Sequence, residues 1–281
     1  GQNICLTDDS VTEIPIGFDF NYYGNVYETL TVSSNGWISF EKCNIPYFWN
    51  FSIPFPLGPS AMVAPFMDDL DDNGKEPFTD LNENCVYDIG EPFQDLNPPE
   101  SDGGSIGNGQ WDAGEDFNVF SYYDTDNNRL IIQWDNVSNG EDDENCPNCV
   151  KETFQLILLD QEFYPNSVNQ GDIIFVYEEI NDIDQNGNFS TIGVESPDQN
   201  FGSQLIFNQS DPNLIALLND GYSVRFSADN NPLEVDSGIE FSILNAYPNP
   251  FNPILNINYS LIEGSNVNAS IYDISGKLVE N

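Results

Sequence analysis

The sequence predicts an all-β fold, a β-sandwich of jelly-roll or immunoglobulin-like type. Three observations carry that prediction. Apolar and polar residues alternate over short runs; Gly, Asn, Asp and Pro punctuate those runs; and no stretch keeps a long helical period. Taken in order, residues 13–20, 29–32 and 36–40 read as strands, with turns at Tyr23-Gly24 and Asn35-Gly36. The apolar run 61–66 reads as a strand buried on both faces. Residues 118–123 and 129–134 make a hairpin around Asp124 to Asn128, and 153–159 pairs with 172–178. The strands 191–195, 203–207 and 221–226 complete the body. Trp37, Trp49 and Trp134 are expected in the core or on strand faces.

The domains are read as a sandwich over residues 1–228, with an acidic insertion at 68–118. A polar linker follows at 229–240, then a small, partial immunoglobulin-like β domain at 241–281.

The chain has 281 residues, 47 Asp and Glu against six Lys and Arg, and a formal net charge of −41. Such a surface excludes nucleic acid and anionic membrane as partners, since both need a basic face. There is no His, which removes Ser-His-Asp and Cys-His catalysis and His-ligated zinc. No run is long enough to span a membrane. No leader is visible, and Gly1 reads as a processed start.

The insertion carries the most specific pattern. The phrase EPFTDLN at 76–82 returns as EPFQDLN at 91–97. Around the copies, oxygen-bearing side chains fall at the spacing of a twelve-residue calcium loop, in which positions 1, 3, 5, 9 and 12 supply ligands and position 6 favours Gly. In the first loop Asp69, Asp71, Asn73 and Asp80 take positions 1, 3, 5 and 12, with Gly74 at 6. In the second, Asp80, Asn82, Asn84, Asp88 and Glu91 take 1, 3, 5, 9 and 12, and Cys85 stands at 6, so its turn is expected to be made differently. A third copy opens with Asp95 and Asn97, is interrupted, and closes with Asn108, Asp112 and Glu115. Hard oxygen donors at this density suit calcium, as a structural ion. Phe78, Tyr87, Phe93, Trp111 and Phe117 are expected to form a small core beneath the loops. A solvated acidic loop is the alternative reading. Asp182, Asp184 and Asn186 begin a further such spacing, equally readable as a plain turn.

Five Cys are present. Cys146 and Cys149 read as a loop staple, and Cys5 with Cys43 as the expected second bridge, which leaves Cys85 without an assigned partner.

Two resemblances complete the reading. Residues 246–253, AYPNPFNP, followed by INYSL and VNASIYDISGKLV, resemble part of the type A C-terminal sorting domain of type IX secretion. This implies contact with the secretion machinery and delivery to the extracellular space or outer cell surface. The runs IGFDFNYYG, VSSNGWISF, QWDNV, ETFQLIL and GDIIFVY are similar to a nidogen-like module of secreted bacterial proteins, which implies a non-catalytic adhesive or accessory role. The expected function is a calcium-stabilised structural or adhesive protein that self-associates, with extracellular glycan or protein as a further partner and filaments formed by strand exchange. An accessory module released from a larger secreted peptidase or glycosidase is the alternative.

Overall fold

The computed structural model describes residues 1–45, 50–71, 76, 78–82, 84–95, 109–111, 117–139, 151–180, 190–208, 218 and 223–227, and the backbone of four strands beyond residue 240. The chain divides into two units, Gly1–Asn230 and Asn231–Asn281.

The first unit has thirteen strands among its described residues: β1 (Gln2–Asn3), β2 (Val11–Tyr22), β3 (Asn25–Ser33), β4 (Ile38–Ser39), β5 (Met62–Met67), β6 (Leu70–Asp71), β7 (Asn118–Asp124), β8 (Arg129–Asn139), β9 (Glu152–Leu159), β10 (Asp172–Glu179), β11 (Thr191–Glu195), β12 (Gly202–Phe207) and β13 (Ser223–Phe226). They form two antiparallel sheets. One runs β1-β7-β8-β9-β10-β13, with β6 joined to β8. The other runs β12-β11-β5-β4-β3-β2. Period-two alternation and short turns account for the hairpins. At Tyr23 and Gly24, φ values of 48° and 80° make a two-residue turn that matches the strand twist.

The main core lies between the sheets. Trp134 of β8 is fully buried and stacks on Phe154 of β9 at 5.0 Å, and Phe154 meets Phe66 of β5 at 5.5 Å. Polar atoms inside are partnered: Trp134 Nε1 donates to Ser33 O, and Tyr177 Oη donates to Pro65 O. A second cluster of Trp37, Phe51, Ile53, Met62, Ala64 and Met67 sits apart from this core. β5 alternates between the two, with Val63 and Phe66 in the main core and Met62, Ala64 and Met67 in the second. That double burial is why the run is apolar without alternation.

Residues 50–58 hang beside β11 and β12 by side-chain hydrogen bonds. Thr191 Oγ1 donates to Phe51 O, Gln204 Oε1 accepts from Ile53 N, Glu195 Oε2 accepts from Phe55 N, and Gln199 Nε2 donates to Phe55 O and Gly58 O. Glu195 is fully buried, and its Oε1 has no hydrogen-bond partner among the described residues. Burial raises its carboxyl pKa.

The Asn35-Gly36 hairpin turn between β3 and β4 is borne out, and it is buried. Asn35 is fully buried, its Nδ2 donates to Asp9 Oδ1, and its Oδ1 accepts from Leu70 N. Gly36 has φ of 71°, and a Cβ there would lie 1.8 Å from Phe66 O. Two arginines are fixed by carboxylates. Arg129, opening β8, bonds Asp124, and Arg225 in β13 bonds the buried Asp172 through Nε and Nη2.

The second unit contributes two antiparallel pairs, β14 (Phe241–Tyr247) with β15 (Asn256–Leu261) and β16 (Ile271–Tyr272) with β17 (Leu278–Glu280). The linker read at 229–240 lies outside the described residues, as do Trp49 and the Asp182, Asp184 and Asn186 spacing.

Candidate functional site

The second acidic loop closes on itself through its own carboxylates. Asp80 Oδ1 accepts the N–H groups of Asn82 and Asn84, both at 3.2 Å, and Asp80 Oδ2 accepts Cys85 N at 2.7 Å. Asn82 and Asn84 each donate from Nδ2 to Asp88 Oδ2, at 2.7 and 3.0 Å. Glu91, buried, takes Leu81 N on one oxygen and Asp88 N on the other. All five residues assigned to this loop are thus joined in one short network. The amide oxygens of Asn82 and Asn84 accept backbone N–H groups of Asn84 and Val86.

Position 6 is made in a way the residue type hides. Cys85 has φ of 64°, the left-handed conformation that Gly usually supplies. The turn is therefore the ordinary one with Cys bearing the strain, which corrects the expectation of a different turn. The third copy repeats one part of this arrangement. Gly109, at its sixth position, has φ of 74° and donates N–H to Asp95 Oδ2 at 2.8 Å, matching the Cys85-to-Asp80 bond. Asp95 and Gly109 are fourteen residues apart, and the residues between them lie outside the described residues.

Beneath the loops lies a cluster of aromatic rings. Tyr87 stacks on Trp111 at 4.4 Å, Phe78 meets Tyr87 edge-on at 5.7 Å and Trp111 at 5.8 Å, and Phe93 meets Tyr87 at 5.7 Å. Phe78 and Phe93, equivalent positions in the repeated phrase, face one another in an isolated antiparallel bridge, and Thr79 N donates to Pro92 O. Phe117 departs from the expectation. It is buried in the main core, because it stands at the entry to β7.

Of the first loop, Asp69 and Asp71 are placed at the foot of the sandwich. Asp71 belongs to β6 and pairs with Ser138, while Asp69 N bonds Asp68 Oδ1. Asn73, Asn97, Asn108, Asp112, Glu115, Cys146 and Cys149 lie outside the described residues.

The disulfide pairing is corrected. Cys5 is bonded to Cys85, with Cα atoms 5.0 Å apart, and Cys43 is a free thiol. Cys43 instead packs against the second apolar cluster, and burial raises its thiol pKa. The acidic loop folds back beside the N-terminal strand, where Cys85 Sγ also contacts Asn3 O. An odd cysteine count offers no way to read this from spacing. Among the described residues, Cys5, Asp80 and Cys85 form the one group of three such side chains whose ligand atoms lie within 4.8 Å. Its two sulfurs are bonded to each other, so Asp80 is the donor that remains there.

A cavity of about 610 Å³ opens elsewhere, lined by Tyr22, Tyr23, Val168, Ile173, Arg225 and Phe226 among others. Its polar groups are engaged: Tyr22 Oη donates to Glu195 O, Arg225 holds Asp172, and Gln170 Oε1 accepts Gly24 N. Among the described residues no carboxylate lines it.

Together these features define an all-β protein with a disulfide and an acidic loop packed on its own aromatic cluster. Two family models match parts of the chain. Residues 2–80 match a domain described as NIDO related, and residues 245–281 match the secretion system C-terminal sorting domain. No curated protein and no solved structure matches the chain. The sorting domain directs the protein to the extracellular space or cell surface and implies interaction with the secretion machinery. Neither matched family is catalytic, and no helix among the described residues is long and apolar enough to cross a membrane.

Proposed function

We propose that this chain is a non-enzymatic structural or adhesive module of the extracellular space, ordered by calcium in its acidic loops and associating with other copies through strand edges. One observation carries the calcium reading. The bond from the first-position carboxylate to the sixth-position N–H, with left-handed backbone at position six, recurs in the second and third repeats. That recurrence supports an ion-binding loop over a solvated acidic run.

In the second loop a bound ion would draw oxygens from Asp80, Asn82, Asn84, Asp88 and Glu91. The Asn82 and Asn84 amides, now donating to Asp88, would turn their oxygens inward. The ion would offset the repulsion among the fifteen carboxylates between Asp68 and Asp116, where Lys75 is the one basic residue.

The test is calcium titration of EDTA-stripped protein by calorimetry, with near-ultraviolet circular dichroism reporting the Tyr87–Trp111 stack. Saturable binding with a rise in aromatic signal is expected, and both should be lost in the double variant Asp80→Asn with Glu91→Gln. Absence of bound ion at millimolar calcium refutes the reading.

A further inference from the structure

β12 is an edge strand whose protection is limited to a bulge at Leu205. It bonds to β11 on one side, and among the described residues no strand pairs with its other side. Natural edges are blunted by short length, charge, Pro or a bulge. The other three edges of the two sheets show these devices. β1 has two residues, β2 carries Glu13, Pro15 and Asp19 with a register shift between Pro15 and Phe20, and β13 has four residues including Arg225. β12, Gly202-Ser-Gln-Leu-Ile-Phe207, has no charge and no Pro; its one such device is the register shift against β11 that leaves Leu205 out of the pairing.

Its surroundings are equally uncharged. Residues 199–210 contain no charged side chain, nor do residues 43–67. In a chain that is 19% charged, 37 residues would be expected to carry about seven charges. These two segments touch: Ile53 N bonds Gln204, Gln199 bonds Phe55 O and Gly58 O, and the Ile53 side chain lies over Gly202. Leu57 is 70% exposed, Phe201 67% and Leu205 39%. Among the described residues, Asp198 in the adjoining turn is an exposed neighbouring charge, and Glu195 is buried.

We infer that β12 is a self-association edge, pairing antiparallel with β12 of a second copy across a two-fold axis. Charge selects the occupant. Two copies each carrying −41 repel wherever acidic faces meet, and a two-fold contact sets this neutral patch against its own image. The pairing joins two six-stranded sheets into one continuous sheet and covers Phe201 and Leu205. This inference names the edge for the self-association in the proposed function, and it does not depend on calcium binding.

The experiment is sedimentation equilibrium of the full chain from 1 to 100 μM, with calcium and with EDTA. A reversible dimer is expected, tightening as sodium chloride rises from 50 to 500 mM. Leu205→Lys and, separately, Phe201→Lys should each weaken it at least tenfold. Phe163→Lys, an equally exposed aromatic at 60% in another loop, should not. A wild-type chain that stays monomeric throughout overturns the inference, as does a dimer that both β12-patch variants leave intact. Calcium titration of the same samples keeps the two readings apart: loss of the dimer with calcium binding unchanged refutes neither, and calcium binding by a monomeric wild type refutes only this one.

Discussion

Removing the Cys5–Cys85 bridge tests both its placement and its energetic weight. The perturbation is the double variant Cys5→Ser with Cys85→Ser, which leaves Cys43 as in the native chain. The bond spans 80 residues. Closing a loop of that length in the unfolded chain corresponds to about 4.5 kcal/mol at 25 °C by chain entropy. The native contacts nearby survive the change, since Asp80 still accepts Cys85's backbone N–H and β1 still pairs with β7 at Gln2 and Asn3. The loss should therefore fall mainly on the unfolded state. With a urea slope of about 2–3 kcal/mol per molar, the midpoint should move down by roughly 1.5–2.3 M. The assay is urea unfolding in calcium, followed by Trp fluorescence. A shift below about 0.5 M refutes the entropic argument, and a Cys5–Cys43 crosslink on non-reducing peptide mapping refutes the placement.

Three further substitutions test the fold, two in its body and one, at Gly90, in the second acidic loop. Gly36→Ala places a Cβ against the Phe66 carbonyl in a left-handed backbone, and should cost about 3 kcal/mol or more on thermal unfolding. Gly90→Ala, also left-handed but with nothing within 4 Å, should cost about 1–2 kcal/mol. Glu195→Gln keeps an acceptor for Phe55 N and removes a buried charge. Because burial raises the Glu195 pKa, its contribution is fully present below the ordinary glutamate pKa of about 4.3 and is lost as pH rises through the folded value. The variant should therefore gain on wild type between pH 4 and pH 8 in urea midpoints, and a difference that does not change with pH would refute that account.

Much of the strand pattern was legible because alternation is a local signal. The hairpins β2–β3, β7–β8 and β9–β10 fall where period two and turn residues place them. β8 runs on to Asn139, past the expected end at Trp134, because a register shift between Trp134 and Val137 lets pairing resume with a broken alternation. The second apolar cluster was hidden, since nothing local says that the outer side of Met62 and Met67 is covered by residues 50–58. The loop residues Asp80 to Glu91 were legible because ligand spacing is sequential. The Cys85 bridge was not, since it depends on where the insertion folds back. Cys85 in a glycine position was the available clue that this residue does something beyond the turn.

The two arginine–carboxylate pairs bear on how long such a protein lasts once exported. A protease that cuts after basic residues has six candidate positions in 281 residues. Two of them, Arg129 and Arg225, are held in strands by Asp124 and Asp172. Cleavage needs an extended segment free of its neighbours, so these bonds become available only when the strand leaves its sheet. Scarce lysine and arginine, with two of the arginines locked into the sheet, leave trypsin-like enzymes of the surroundings few places to begin.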